Sequence, residues 1–330
     1  MIRKSARLRR RLVSWVPLVC AVGALPYVAA QGAAAPPLAA ERAPPDLQLG
    51  SGPFKSIMEE VTALPMHTVY RPADLTSLGE RKLPIVAWGN GACVANGSSH
   101  RWFLSEIASY GFLVIANGAI GNDPPLPAAP ALPPKPLTMP AVGQLPPPPT
   151  HSAQLIEAID WAQAENARID SPLRGHIAVS KVAVMGMSCG GVQAIEAAGD
   201  PRVTTVMVWN SGLFPQPTAM AGGKTLDKTD LEKLHTPVAY ISGDATDIAF
   251  ANANDDFSRL HAIPAFRAYE RGVAHGGTYW EPGGGEFGGV AVAWLAWQLQ
   301  GNRRASHLFV GRDCGLCANP RWVVQKKNLE

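Results

Sequence analysis

Six short runs of nearly unbroken apolar residues, set apart by helix-length intervals, restrict this chain more than any other feature. They are 85–88, 112–116, 181–185, 203–209, 238–242 and 265–269. The intervals carry helical signals. One helix is expected from a cap at Ser98 or Ser99 through Tyr110, with Gly111 as its stop; others span 155–167, 190–198 and 290–299. An apolar run without alternation is what a strand covered on both faces looks like. Such strands, joined by helices, make an α/β architecture with a mainly parallel central sheet and helices on both faces. Ligands on such sheets bind beyond the carboxyl ends of the strands. The chemistry is therefore expected just after the apolar runs.

Gly186-Met187-Ser188-Cys189-Gly190-Gly191 lies there, between the run 181–185 and a helix. A serine on a sharp strand-to-helix turn needs glycine two positions to either side, because a larger side chain would strike neighbouring backbone. The turn lifts the hydroxyl above the sheet and aims the N-terminus of the next helix at any developing oxyanion. Ser188 is the candidate nucleophile.

A serine hydroxyl needs an imidazole to take its proton, and the imidazole needs a carboxylate. His235, His261, His275 and His307 follow Ser188. Only His275 sits in a glycine-containing loop after the last apolar run and before the final helix, at the expected edge. His235 precedes a strand, His261 closes a helical stretch, and His307 lies beyond the last helix. The acid belongs on the loop after 238–242, where Asp244 and Asp247 are available; Asp247, followed by the apolar pair Ile248-Ala249, is the first choice. The expected oxyanion donors are the backbone N–H of Cys189 and that of Asn90, with Gly91 as the alternative, both on the turn after 85–88. These donors must converge within a few ångströms, which would bring Cys93 beside Cys189. A Cys93–Cys189 bridge is therefore expected, with Cys314–Cys317 as a second; of the five cysteines Cys20 lies in the leader, the other four allow three pairings, and buried free thiols are the alternative.

With these residues the chain resembles the α/β-hydrolase superfamily over roughly residues 57–300. The likeness is to its secreted single-domain branch of cutinase-like, dienelactone-hydrolase-like and platelet-activating-factor acetylhydrolase-like enzymes. The order Ser188, Asp247, His275 and the Gly243-x-x-x-Asp247 spacing carry the resemblance. It implies an α/β-hydrolase fold and hydrolysis of a small-molecule or polymeric carboxylic ester through an acyl-enzyme, without a metal or organic cofactor. The same triad would serve an amidase or peptidase, and a silent scaffold used for binding is a further alternative. The resemblance also suggests Trp209 as a substrate-contacting aromatic, with Tyr279 and Trp280 lining the same cleft, although core packing is the first expectation for Trp209. Three features depart from the pattern: Trp88-Gly89-Asn90-Gly91 in place of a His-Gly-Gly-Gly loop, cysteine directly after the serine, and a tail outside the shared core.

The chain has 330 residues, 47% of them hydrophobic, enough for one large domain. Its formal charge is +3, but residues 1–30 hold six basic and no acidic residues. Without them the balance is −3, which argues against a nucleic-acid footprint. Residues 1–30 read as a secretory signal: basic residues to Arg11, an apolar stretch interrupted by Pro17 and Pro26, then Val28 and Ala30 before the cut. A secreted or periplasmic protein without stable membrane insertion is expected. Residues 31–53 form an Ala/Pro-rich N-terminus and 54–300 the domain. An insertion at 122–150 carries twelve prolines between Pro124 and Pro149 and is read as a spacer or a lid. Residues 301–330 form a tail with Cys314-Gly-Leu-Cys317.

Overall fold

The computed structural model describes residues 50–121, 148–219 and 224–329. The expected secretory signal, nearly all of the 31–53 segment and most of the 122–150 insertion lie outside the described residues.

Each apolar run becomes a strand of one sheet. The strands are β1 (Ser56–Glu59), β2 (His67–Pro72), β3 (Leu83–Gly89), β4 (Leu113–Asn117), β5 (Ile177–Met187), β6 (Thr205–Trp209), β7 (Val238–Gly243), β8 (Ala265–Glu270) and β9 (Trp322–Lys327). Their spatial order is β1-β2-β4-β3-β5-β6-β7-β8-β9. The stretch from β4 to β8 is parallel throughout, while β1, β2 and β9 run antiparallel to their neighbours. The sheet is thus mostly parallel and mixed.

Side-chain alternation divides the interior into two layers. Ile85, Ala87, Val206 and Val208 face α2 (Ser152–Ala167), α3 (Cys189–Ala197) and α4 (Phe250–Arg259). Val86, Trp88, Met207 and Trp209 face α1 (Arg101–Ser109) and α5 (Gly285–Gln300). Both faces are therefore covered, which is why these strands show no polar alternation.

The helix before β4 starts later than the sequence suggests. Its N-cap is His100, because Ser98 donates its hydroxyl to Asn96 Oδ1 (2.9 Å) and Ser99 is engaged with His100 Nδ1 (2.9 Å). Its expected stop holds, since Gly111 has φ +87°.

Both margins of the described domain are more integrated than composition implies. Ser51 donates both its N–H and its hydroxyl to the Glu106 carboxylate, at 2.7 and 2.6 Å, tying residues before 54 to α1. Beyond Gly301, β9 pairs along the whole of β8, from Ala265↔Lys327 to Glu270↔Trp322. Phe309 is fully buried, with its ring 5.1 Å from Trp294 and 5.2 Å from Phe266. Burying one such ring stabilises the fold by about 1.5–3 kcal/mol. The tail is part of the domain.

Register sets the position of the site. Gly89 pairs with Gly186, Met187 with Trp209, Trp209 with Ile241, and Gly243 with Glu270. The carboxyl ends of β3, β5, β6, β7 and β8 therefore share one edge, and the loops after them meet there.

Candidate active site

Ser188 stands between β5 and α3 with φ +54° and ψ −117°, a conformation costing a non-glycine residue about 1–3 kcal/mol. Its surroundings hold it there. Its N–H donates to Trp209 O at 2.9 Å, and its carbonyl accepts from Gly191 N–H (2.9 Å) and the Ser211 hydroxyl (2.6 Å). The flanking glycines are sterically required: a Cβ at Gly186 would lie 2.3 Å from Gly190 O, and one at Gly190 would lie 2.0 Å from Gly89 O. As N-cap of α3, Ser188 lies at the positive end of the helix dipole.

His275 reaches this turn from the loop after β8, and its Nε2 is 2.9 Å from Ser188 Oγ. Its Nδ1 is 2.6 Å from Asp247 Oδ1. The Asp247 side chain is fully buried, and burial is the largest single influence on its carboxyl, opposing ionisation. The hydrogen bond and charge of His275, the Ala249 N–H and the Asn210 amide outweigh burial and hold the carboxyl below its ordinary value. The ionised carboxylate only accepts, so the shared proton resides on Nδ1. A neutral ring in that tautomer turns the Nε2 lone pair toward the Ser188 hydroxyl.

Asp244 has a different role. Its Oδ1 accepts from Thr246 N–H (3.0 Å) and its Oδ2 from Gly272 N–H (2.7 Å). Asp244 N–H donates to Val273 O at 2.9 Å. It therefore ties the Asp247 loop to the His275 loop. Gly243 permits that approach, because a Cβ there would lie 2.1 Å from Val273 O.

Asn210 was not signalled by the sequence reading, yet it completes the carboxylate's surroundings. It follows β6 with φ +43°, a conformation asparagine tolerates better than most residues, and its Nδ2 donates to Asp247 Oδ2 at 2.8 Å. Its Oδ1 accepts from the Tyr279 hydroxyl. Burial first, and then the charge of Asp247, push the Tyr279 phenol well above its ordinary pKa, so it stays a donor. An Asn-Ser-Gly sequence directly after a buried strand was the available cue.

Cys189 is the first residue of α3, directly after the serine. The turn after β3 packs directly against it. Cys93 and Cys189 form a disulfide with Cα atoms 5.3 Å apart, and a Cβ at Gly91 would lie 2.5 Å from Met187 Sδ. Ala92 and Cys93 both have positive φ, 51° and 50°. The Asn90 side chain is buried away from the serine. Its amide donates to Val94, Asn96 and Asn117 carbonyls (3.1, 3.0 and 2.6 Å), and its Oδ1 accepts from Trp88 Nε1 (2.9 Å). From beneath, Thr150 donates to Cys93 O at 2.8 Å and Gln193 to Thr150 O at 2.9 Å. The last residue of the proline-rich insertion thus helps fix the turn. Cys314 and Cys317 form the second disulfide.

No protein-family model matches the chain, and no curated protein is significantly similar to it.

The three aromatic candidates separate by burial. Trp209 is fully buried, its ring 5.1 Å from Phe103 and 5.5 Å from Phe287 in the layer under α1 and α5. It cannot wall a cleft, because its strand position points it to the face away from α3. Tyr279 is also fully buried and reaches the site only through Asn210. Trp280 is 43% exposed, with its Nε1 bonded to Ser99 O at 3.0 Å. An open depression of about 310 Å³ adjoins Ser188 and His275, walled by Val192, Phe214, Ile248 and Asn252 among others. Of these wall residues only Ile248, beside Asp247, stood in a stretch that the sequence singled out for the site.

Among the described residues, no group of three or more His, Cys, Asp or Glu side chains could hold a metal ion. No described helix is long and apolar enough to cross a membrane.

Proposed function

We propose that this protein is an exported serine hydrolase of the α/β-hydrolase type that cleaves carboxylic esters through an acyl-enzyme. The observation that carries this reading is the continuous chain Ser188 Oγ–His275–Asp247, with links of 2.9 and 2.6 Å, on a strained turn at a helix N-terminus. In this reading His275 Nε2 takes the Ser188 proton as Oγ attacks the ester carbonyl. Negative charge collects on the carbonyl oxygen, facing the Cys189 N–H and the Asn90-Gly91 turn. As the C–O bond breaks, imidazolium returns the proton to the departing alcohol, and Asp247 stabilises the ring while it is charged. Water, deprotonated by the same imidazole, then attacks the acyl carbon and releases the acid and Ser188. Two disulfides fit an oxidising compartment, in keeping with the apolar, basic-flanked leader.

The test compares p-nitrophenyl acetate with p-nitroacetanilide, using wild type and Ser188→Ala. Ester turnover that falls by about 10⁴-fold or more in the variant is expected. Preference for the anilide would make the protein an amidase. Absence of turnover on both would leave a binding scaffold.

A further inference from the structure

The proposed oxyanion donors come from two elements. Cys189 opens α3, while the Asn90–Cys93 turn follows β3. Donors on separate elements serve one oxyanion only if the spacing between those elements is fixed. The Cys93–Cys189 bridge fixes one end of the turn. The chain can still pivot about that point, and the positive φ of Ala92 and Cys93 favours relaxation.

One side chain of α3 spans the remaining gap. Gln193 lies four residues after Cys189 and is fully buried, between Val192 and Ala194 in sequence. A primary amide in such a place costs stability unless its polar atoms are bonded. Its Nε2 donates to Thr150 O (2.9 Å) and to Cys93 Sγ (3.0 Å). Its Oε1 accepts from Asn117 Nδ2 at the end of β4 (3.3 Å). The same oxygen lies against β3, since a Cβ at Gly89 would be 2.8 Å from it. Each partner reaches one end of the turn. Asn117 O accepts from Asn90 Nδ2 (2.6 Å), and the Thr150 hydroxyl donates to Cys93 O (2.8 Å). Asn90, Cys93, Asn117, Thr150 and Gln193 are all buried, so water does not compete for these bonds. The bonds run to the turn and not to the triad.

We infer that Gln193 is a positioning residue for the oxyanion turn. Through Asn117 it holds the Asn90 end, and through Thr150 it holds the Cys93 end, both from the helix that begins at the nucleophile. The inference rests on the serine hydrolase reading. It assigns to this amide a part in stabilising the transition state that the bridge alone does not supply. Misplacing a catalytic group by about 1 Å costs about 10²-fold in rate, so loss of the amide acts on kcat and leaves KM nearly unchanged.

The experiment uses p-nitrophenyl acetate with wild type, Gln193→Met and Thr150→Val. Methionine keeps an unbranched side chain without the amide, and valine keeps the shape of threonine without the hydroxyl. kcat is expressed per serine labelled by a fluorophosphonate, so that unfolded protein is not counted. The Ki of trifluoroacetophenone is measured in parallel, because its adduct on Ser188 carries the oxyanion. Gln193→Met should lower kcat by about 10- to 100-fold, with KM within about twofold and Ki raised by the factor that kcat loses. Thr150→Val should lower kcat by about three- to tenfold, again with a matching rise in Ki. Unchanged kcat per labelled serine in Gln193→Met, whatever its stability, overturns the inference. A fall in kcat without a rise in Ki also overturns it, since the loss then arises away from the oxyanion. If Gln193→Met does not fold, Thr150→Val decides, and wild-type kcat and Ki in that variant overturn the inference. A wild-type protein that neither labels nor turns over the ester overturns the hydrolase reading itself.

Discussion

Replacing both Cys93 and Cys189 by alanine tests how the candidate oxyanion turn is held. The bridge spans 96 residues, so the chain-entropy relation gives about 16 cal/mol/K of restricted unfolded-state entropy, or about 4.7 kcal/mol at 25 °C. The same relation gives about 1.6 kcal/mol for the Cys314–Cys317 bridge, with its separation of 3. Guanidinium unfolding followed by tryptophan fluorescence should therefore separate Cys93→Ala/Cys189→Ala from Cys314→Ala/Cys317→Ala by about 3 kcal/mol. A second effect should accompany the first. Ala92 and Cys93 are held at positive φ, and without the bridge the turn is free to relax. Gly91 then shifts off Met187, and losing one oxyanion donor costs about 10²–10³ in kcat. Two double variants of equal stability would refute the long-range staple. A large stability loss with unchanged kcat would remove this turn from the oxyanion hole.

The site makes further demands. Asn210→Ala removes a hydrogen bond to a buried carboxylate, worth about 1.5–3 kcal/mol, so kcat should fall about 10- to 100-fold with little change in KM. Asp247→Asn should lower kcat by about 10⁴-fold through the wrong histidine tautomer, whereas Asp244→Asn should act mainly on stability; comparable kcat losses would reopen the choice of acid. Asp256 bears on pH. Burial, against the Lys228 charge and the Leu213 N–H, raises its carboxyl to about 6 from 3.8. A raised folded-state value favours the protonated form, so its contribution is full below about pH 4 and lost as pH rises through about 6. That loss is about 3 kcal/mol. Unfolding free energies at pH 4 and 7 should show it in wild type and not in Asp256→Asn; parallel curves would contradict the assignment.

The parallel core was legible because strands buried on both faces leave unbroken apolar runs, and Ser188, Asp247 and His275 were legible because each closes or follows one. The same property hid the faces. In 206–209, Val-Met-Val-Trp, no polar residue marks which side is which, so the sequence leaves a cleft wall open for Trp209 beside core packing; Met207 and Trp209 both point under α1 and α5. Tyr279 was placed near the chemistry but given the wrong contact, since only coordinates show its hydroxyl on Asn210. The antiparallel margins were missed for the opposite reason. β1 is four residues long, β2 reads His-Thr-Val-Tyr-Arg-Pro, and β9 ends in two lysines, as edge strands commonly do. Asn210 left no periodic trace, because its role comes from one backbone angle and two side-chain bonds.

The most direct measurement is covalent. A fluorophosphonate should modify the wild-type protein once, and peptide mass spectrometry should place the adduct on Ser188. His275→Ala should slow the labelling by orders of magnitude, and Ser188→Ala should abolish it. An unlabelled wild-type protein, or an adduct on another residue, would contradict the assignment of an activated serine at this edge of the sheet.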